Sequence, residues 1–207
     1  EELGIPCSDG LPTLVAQAKA AEEHFFETPI PDCENERILT QLRQECTNIV
    51  LIGMPGCGKT TVGQALATLT GREAIDLDQC IVEKAGRSIP EIFAAEGEPA
   101  FRALEREVTA EVGKLSGKII LTGGGVVKDR RNYAPLHQNG RIYQLVRDLN
   151  ALPTDGRPLS QGADLAAMWK ERAPLYAAFR DAAMGNNGTV EDTAADIWRD
   201  FCENSGA

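Results

Sequence analysis

Between residues 48 and 69 the sequence places a short apolar run, a glycine-rich loop and an amphipathic segment in direct succession. The run NIVLI at 48–52 is rich in β-branched side chains, which is typical of a parallel strand buried on both faces. The loop GMPGCGKT at 53–60 satisfies the pattern G-x-x-x-x-G-K-[ST], and a helical pattern runs from about residue 59 to residue 69. A buried strand that turns through glycines into a helix predicts an α/β fold with a parallel sheet.

Strand and helix patterns alternate along the rest of the chain, as this fold class requires. Apolar runs predict strands at 74–75, 118–122 and 141–146, and helical patterns cover 79–85, 88–95, 98–115, 163–183 and 191–203. We therefore predict a P-loop NTPase-type parallel sheet flanked by helices over residues 47–207, with a helical extension at residues 1–46.

The glycine-rich loop predicts a site for nucleotide phosphates. Glycines let several backbone N–H groups turn toward one anion, and the following helix presents its positive end to the same point. An incidental glycine-rich turn is the alternative, but the strand before the loop and the helix after it favour a nucleotide. Lys59 is expected to reach the β- and γ-phosphates, and the Thr60 hydroxyl to bind Mg²⁺. The residues that we expect to contact the nucleotide are Gly53, Gly56, Cys57, Gly58, Lys59, Thr60 and Thr61.

Charge and cysteine spacing limit the partners of this chain. A net charge of -10 and a pI of about 4.8 argue against nucleic acid. No apolar run approaches the roughly 20 residues of a membrane span, so we expect no membrane partner. The six cysteines include no C-x-x-C pair, which favours reduced thiols and a cytoplasmic location.

Two carboxylates follow the second predicted strand. Asp76 and Asp78 are two positions apart, so in an extended segment both would face the cleft at the carboxyl ends of the strands. One could hold the water shell of a metal, and the other could orient an acceptor hydroxyl or take its proton. A pair of solvated loop acids is the alternative.

An arginine–glutamate pair and a glycine run add a second possible binding region. Arg102 and Glu105 are three apart on one helical face, so the glutamate can brace the guanidinium for bidentate binding of a carboxylate. The run Gly123, Gly124 and Gly125 follows a buried strand, where bare backbone can approach a ligand. A flexible turn is the alternative at the glycines.

With these motifs in order, residues 48–203 resemble the shikimate kinase family. The matching signatures are the phosphate loop, D-x-D at 76–78, G-E-x-x-F-R-x-x-E at 97–105, G-G-G at 123–125, R-P-L at 157–159 and E-R-x-x-L-Y at 171–176. The resemblance implies ATP-dependent phosphorylation of the shikimate 3-hydroxyl, with Mg²⁺ as cofactor. Other small-molecule kinases, of the gluconate or nucleoside-monophosphate type, share the loop but not the later motifs. A nucleotide-binding module without catalysis is the alternative from another class.

The resemblance also implies roles for individual residues. Asp78 would hold the shikimate hydroxyls and assist deprotonation, and Asp76 would serve Mg²⁺ through water. Arg102 and Arg172 would clamp the substrate carboxylate, with Glu105 bracing Arg102 and the glycine run offering backbone contacts. Arg157 would lie on a lid at about 153–161 and neutralise the transferring phosphoryl group, so that Lys59, Asp78 and Arg157 are the expected catalytic residues. Outside this family, Arg157 and Arg172 would be interpreted as solvated surface charges. Adenine would contact Arg147 or the turn at 185–188.

Residues 1–46 lie outside this resemblance. A helical pattern at 11–26 places Leu14, Val15 and Phe25 on one face; a linker at 27–36 and a short helix at 35–45 follow. The segment GLPTLVAQA at 10–18 resembles the closing helix of shikimate dehydrogenases, although an ordinary amphipathic helix is the alternative. Since the chain also begins at Glu1 rather than Met, we expect it to be part of a bifunctional dehydrogenase–kinase. We expect the apolar stripe of the first helix to pack on the kinase body or on another copy of the chain.

Overall fold

Five parallel strands form a single sheet in the computed structural model, which describes residues 10–149 and 165–204. The strand order is β2-β3-β1-β4-β5. The strands are β1 (Asn48–Gly53), β2 (Ala74–Asp76), β3 (Ile119–Leu121), β4 (Gly140–Val146) and β5 (Ala182–Gly185). Strand β1 is central and buried along its whole length, as its apolar run predicted. The predicted fold class is confirmed.

Helices cover the sheet and close the core. They are α1 (Leu11–Phe26), α2 (Asp32–Cys46), α3 (Lys59–Thr70), α4 (Leu77–Ala85), α5 (Ile89–Val112), α6 (Tyr133–His137), α7 (Leu165–Phe179) and α8 (Val190–Asn204). Helices α3 and α8 pack side by side and bury Val62, Leu66, Ile197 and Phe201 completely. In parallel sheets covered by helices, ligands bind at the carboxyl ends of the strands, so a site is expected at that edge.

Helix α5 contains a kink that separates two helical segments. The Ser88 side chain accepts a hydrogen bond from the Glu91 backbone N–H, and the Glu91 carboxylate accepts one from the Ser88 backbone N–H, so the helix start is capped. Gly97 has φ 78 and ψ 179, outside the helical region, and Pro99 lies in the first turn of the second segment. The two predicted helices are therefore present, and the second ends at Val112 rather than at 115.

The prediction of one helix over 163–183 was wrong. Helix α7 ends at Phe179, and residues 182–185 form the edge strand β5 beside β4. Asp181 makes the change of direction, because its backbone N–H donates to the Ile142 carbonyl and its carboxylate accepts from the Ile142 N–H. The sequence AAMG has little strand character, so only the pairing with β4 decides its conformation. The short helix α6 was also missed.

The N-terminal extension is a pair of helices. Helix α2 begins at Asp32, earlier than expected, because Pro31 precedes it and acidic side chains occupy its first turn. Lys19 of α1 pairs with Asp32, which holds the two helices together. Within this chain the apolar stripe of α1 is only partly covered: Val15 is buried, but Leu14 is 62% and Phe25 80% exposed. Packing of the stripe on the kinase body or on another copy of the chain stays a prediction.

Two observations bear on the surroundings of the protein. Within the described ranges, no helix combines the length and the apolar character that crossing a membrane requires. Five cysteines in those ranges, at 33, 46, 57, 80 and 202, are free thiols.

Candidate active site

One large cavity, of about 870 Å³, opens at the carboxyl ends of the strands. It brings together side chains that are far apart in sequence and that the motifs had singled out separately. The predicted site residues that line it are Gly56, Gly58, Lys59, Thr60, Thr61, Asp76, Asp78, Arg102, Glu105, Gly123, Gly124, Gly125 and Arg172. Arg157 and the predicted lid lie outside the described residues. The roles assigned to these residues stay predictions, but their convergence on one cavity is an observed property of the fold.

The phosphate loop has the backbone geometry that only glycine adopts readily. Gly56 and Gly58 have φ values of 86 and 99. The Lys59 amine donates to the carbonyls of Gly53, at 2.9 Å, and Met54, at 3.1 Å, so its charge is held at the mouth of the loop. Cys57, a residue of the loop itself, is buried, and neither Cys57 nor Gly53 lines the cavity.

Asn186 is a loop-supporting residue that the sequence analysis placed only in a turn near adenine. Its side-chain amide donates to the Cys57 carbonyl at 2.7 Å, and its side-chain oxygen accepts from the Thr193 hydroxyl at 3.1 Å. The amide also occupies the space next to Gly58, where a Cβ would lie 2.5 Å from it. Strand β5 thus supports the phosphate loop from behind, a contact that no local motif could reveal.

Asp76 and Asp78 share the cavity for a reason other than the predicted one. The strand stops at Asp76, and Asp78 lies in the first turn of α4, so the segment is not extended through both residues. Asp76 caps the helix: its Oδ1 accepts from the Asp78 N–H at 2.9 Å and from the Gln79 N–H at 3.4 Å. A strand end followed at once by a helix turn brings the two carboxylates to one side.

Burial and the neighbouring Asp76 raise the pKa of Asp78 above the ordinary Asp value. The positive charges of Lys59 and Arg102 oppose this shift, which places Asp78 within electrostatic reach of both. The Asp78 carboxylate therefore interacts electrostatically both with the phosphate loop, through Lys59, and with Arg102.

Arg102 is held by two carboxylates. Its Nη1 donates to Glu105, which is 2% exposed, at 2.6 Å. Its Nε and Nη2 donate to Glu98 at 3.2 and 3.1 Å. The predicted pairing of Arg102 with Glu105 is confirmed, and Glu98 is an additional brace that the sequence analysis missed. The signal for it was its i,i+4 spacing from Arg102.

The glycine run is required by the groups that lie against it. A Cβ at Gly123 would come 2.8 Å from an oxygen of Asp78, and one at Gly125 would come 2.5 Å from the Arg102 guanidinium. At Gly124 a Cβ would meet the ring of Pro55 at 2.7 Å. Each glycine thus leaves room for a different group of the site. Because a Cβ at any of the three positions would clash, the glycines are required for packing, whereas the sequence alone left a flexible turn as the alternative.

Arg172 and Tyr176 hold the carbonyl of the central glycine. Arg172 donates to the Gly124 oxygen through Nη1 at 3.1 Å, and the Tyr176 hydroxyl donates to the same oxygen at 2.5 Å. Tyr176 is fully buried, and burial raises the pKa of its hydroxyl, so it remains a neutral donor. Among the described residues, the buried Arg172 Nε has no hydrogen-bond partner. The role of Tyr176 was missed because a tyrosine one helical turn after an arginine usually indicates packing alone.

One wall of the cavity is apolar and was not predicted. Ile89, Phe93, Phe101 and Met168 line it, and the rings of Phe93 and Phe101 lie 4.8 Å apart. Arg147, suggested above as an adenine contact, also lines this cavity.

The oxygen donors at the phosphate loop fit Mg²⁺. Thr60 and Asp76 line the same cavity, and both present the hard oxygen ligands that this ion prefers. Residues 10–149 and 165–204 contain no group of three His, Cys, Asp or Glu side chains that would hold a metal by itself. This donor set suits an ion held by one or two protein groups together with phosphate oxygens and water.

Comparison with known proteins agrees with the geometry. The profile of the family described as "Shikimate kinase" matches residues 55–202. Curated shikimate kinases from Synechococcus sp. (strain RCC307) and Moorella thermoacetica are 40% and 42% identical over 159 and 149 residues. These matches cover 71% and 68% of this chain and 81% and 86% of the relatives.

Solved structures give the same result. The shikimate kinase from Acinetobacter baumannii, in complex with shikimate, superposes with a TM-score of 0.70 at 32% identity, covering 80% of this chain and 98% of that one. The shikimate kinase from Aquifex aeolicus superposes with a TM-score of 0.67 at 26% identity, covering 77% and 98%. The region that matches the family profile contains most of the phosphate loop, the paired carboxylates and the braced arginine. The chain is therefore a member of the shikimate kinase family.

Proposed function

We propose that this chain transfers the γ-phosphoryl group of ATP to the 3-hydroxyl of shikimate, giving shikimate 3-phosphate and ADP in the biosynthesis of aromatic amino acids. The observation that carries the proposal is the position of Asp78, within electrostatic reach of Lys59 on the phosphate side and of Arg102 on the other. Family membership supports the same reaction.

The acceptor is an anion, and Arg102 and Arg172 are suited to hold its carboxylate. A guanidinium has five N–H donors, and within the described residues three of those of Arg102 go to Glu98 and Glu105. Two remain, which is the number that a bidentate carboxylate takes. Arg172, whose Nη1 donates to the Gly124 carbonyl, lines the same cavity and brings a second guanidinium to it.

The cyclic carbon frame of shikimate suits the apolar wall formed by Ile89, Phe93, Phe101 and Met168. An aromatic and aliphatic surface favours a ring face over the hydrated chain of an open polyol. The wall therefore supports shikimate over gluconate as the acceptor.

On the donor side, Lys59 would exchange its two loop carbonyls for the β- and γ-phosphates, and the loop N–H groups would hold the remaining oxygens. Thr60 and, through water, Asp76 would hold Mg²⁺, which neutralises phosphate charge when it is bound. Arg157, outside the described residues, would neutralise the transferring group from the other side.

In the transfer itself, the carboxylate of Asp78 would accept a hydrogen bond from the 3-hydroxyl and so orient its oxygen toward the γ-phosphorus. As the new oxygen–phosphorus bond forms, the bond to the β-phosphate oxygen breaks and ADP leaves. The hydroxyl proton passes to Asp78 and then to solvent.

The test is ADP formation in a coupled assay with Mg²⁺ and ATP, with shikimate, gluconate, a nucleoside monophosphate or no acceptor added. We expect turnover that depends on shikimate. ATP hydrolysis of equal rate with and without shikimate, or faster turnover with gluconate, would overturn the proposal.

The clamp can be tested separately with Arg102→Lys. A lysine keeps the charge but loses the planar fork, so kcat/KM for shikimate should fall by about 10-fold or more while KM for ATP is retained. Arg199→Lys, at an exposed ion pair on α8, is the matched control. Unchanged shikimate kinetics in Arg102→Lys would remove Arg102 from the carboxylate clamp.

We further infer that residues 1–46 belong to a bifunctional dehydrogenase–kinase. The support is the sequence at 10–18, the start of the family match at residue 55, and the exposed Leu14, Phe25 and Phe26 of α1. The coding sequence upstream of Glu1 decides the matter: an open frame encoding a dehydrogenase supports the inference, and an initiation codon directly before Glu1 contradicts it. The free thiols support a reducing, cytoplasmic location, which cell fractionation would test.

A further inference from the structure

A chain of ion pairs extends from Arg102 away from the cavity. Glu98 accepts two hydrogen bonds from Arg102 and a third from Lys128, whose Nζ lies 2.9 Å from Glu98 Oε1. Lys128 is not among the residues that line the cavity. It is nevertheless connected to the acceptor-side arginine through a single carboxylate.

The backbone on both sides holds this chain in place. Glu98 directly follows the break at Gly97, so its carboxylate lies at the start of the second segment of α5. Lys128 ends the turn that comes after the glycine run, where its N–H donates to the Gly125 carbonyl at 3.0 Å and Val126 and Val127 are buried. The Lys128–Glu98 pair therefore connects the glycine run to the helix that carries Arg102.

The charges explain the contribution of this pair. Arg102 carries one positive charge and is flanked by two carboxylates, Glu98 and Glu105. Those three groups alone would have a net negative charge, which repels an anionic acceptor. With Lys128 the group of four is neutral, and Lys128 also restrains the carboxylate that orients Arg102.

We propose that Lys128 is a positioning residue for the acceptor: by neutralising and holding Glu98, it preserves the orientation of Arg102 and its attraction for the shikimate carboxylate. This inference rests on the proposed function. Since the side chains of Lys128 and Glu98 are 31% and 47% exposed, water and salt screen the interaction, and its effect should be modest and dependent on ionic strength.

The experiment compares four variants at low salt and again at about 0.5 M salt, where the screening length is only a few ångströms. Lys128→Met removes the charge, Lys128→Arg retains it, and Glu98→Gln combined with Lys128→Met removes both charges of the pair. Lys118→Met is the matched control, because Lys118 forms a similarly exposed ion pair with Glu73 at 2.8 Å and does not line the cavity.

We expect Lys128→Met to raise KM for shikimate by about three- to fivefold at low salt, with kcat and KM for ATP within about twofold of the wild type. High salt should bring the ratio of variant to wild-type KM close to one. Lys128→Arg and the double variant should be closer to the wild type than Lys128→Met, and Lys118→Met should be unchanged.

An unchanged shikimate KM in Lys128→Met overturns the inference. So does a loss that is equal for both substrates, insensitive to salt or shared by the double variant, because each of these indicates a structural defect. If the wild type itself shows no shikimate-dependent ADP formation, the proposed function fails instead, so the two failures are distinguishable.

Discussion

At Asp78 the requirements of folding and of chemistry oppose each other. Burial and Asp76 raise its pKa, so the folded protein holds this proton more tightly than the unfolded chain does. The resulting contribution to stability is fully present below the ordinary Asp pKa of 3.8 and is lost as pH rises through the raised pKa. Once ionised, the carboxylate is therefore a cost to the fold that catalysis requires.

Asp78→Asn should consequently raise Tm at pH 7.5 while lowering kcat by roughly 10²–10⁴-fold, because an amide cannot accept the proton. The gain in Tm should shrink as pH falls through the raised Asp78 pKa and should level off below the ordinary Asp pKa of 3.8. In the wild type, kcat/KM should decline on acidification with a midpoint above the ordinary Asp pKa. Thermal unfolding and initial rates across pH measure both, with the exposed Asp196→Asn as control. A lower Tm for Asp78→Asn at pH 7.5 would contradict this assignment of the buried charge.

Tyr176 supplies a second test at the scale of one atom. Tyr176→Phe removes only the hydroxyl that donates to Gly124 at 2.5 Å, leaving Arg172 as the remaining side-chain donor to that carbonyl. A buried hydrogen bond is worth about 0.5–1.5 kcal/mol, so KM for shikimate should rise by about two- to tenfold with KM for ATP unchanged.

Tyr143→Phe is the control, since the buried Tyr143 hydroxyl donates to Asp200 at 2.8 Å away from the cavity. It should lower stability by a similar amount and leave shikimate kinetics intact. Equal effects of the two variants on KM would reduce Tyr176 to a packing residue.

Among the elements, the glycine run at 123–125 contacts two different parts of the site. Gly125 faces the guanidinium of Arg102, and Gly124 faces the ring of Pro55 in the phosphate loop. The run therefore packs against both the phosphate loop and the arginine that is expected to bind the acceptor.

Alanine at these two positions should have different consequences. Gly125→Ala displaces Arg102 and should raise KM for shikimate by about tenfold or more. In Gly124→Ala the new methyl group would clash with the ring of Pro55, which is tied to the backbone of the phosphate loop. Because the loop cannot move aside as easily as the end of a flexible side chain, this variant should raise KM for ATP as well. Steady-state kinetics with each substrate varied will show the split, with Gly10→Ala, whose Cβ would meet nothing within 4 Å, as control. Identical profiles for the two variants would refute this division.

At the scale of the whole molecule, the two helices of the extension relate differently to the kinase body. The end of α2 is bonded to the body: Gln44 donates to the Cys202 carbonyl at 2.9 Å, and Gly117 N–H donates to the Cys46 carbonyl at 2.8 Å. Arg72 also donates to the Gln44 carbonyl. Helix α1 packs mainly on α2 and leaves Leu14 and Phe25 exposed.

A chain that begins at Asp32 should therefore keep its activity and nearly its full Tm. A chain that begins at Thr47 loses the three hydrogen bonds just named and should lose about 2–4 kcal/mol of unfolding free energy, visible as a clearly lower Tm. Calorimetry and the coupled assay on both truncated chains measure this. Equal Tm values for the two would place the domain boundary at residue 47, as the sequence predicts, with no contribution from α2.

Local sequence patterns were sufficient to predict the fold class, the phosphate loop and the pairing of Arg102 with Glu105. A β-branched run, a glycine turn with a fixed pattern and two residues one helical turn apart all interact with near neighbours in the chain. The break in α5 was predicted for the same reason, since the helical patterns at 88–95 and 98–115 stop on either side of Gly97.

Features that join distant segments depend instead on how the chain packs. Strand β5 exists because β4 offers it an edge, and Asn186 supports the phosphate loop because β5 ends behind Cys57. The carbonyl of Gly124 accepts from Tyr176, 52 residues away, and Glu98 accepts from Lys128, 30 residues away. Such partners leave no periodic or spacing signal, because hydrogen bonds and charges act through space and only the packed chain determines which groups meet.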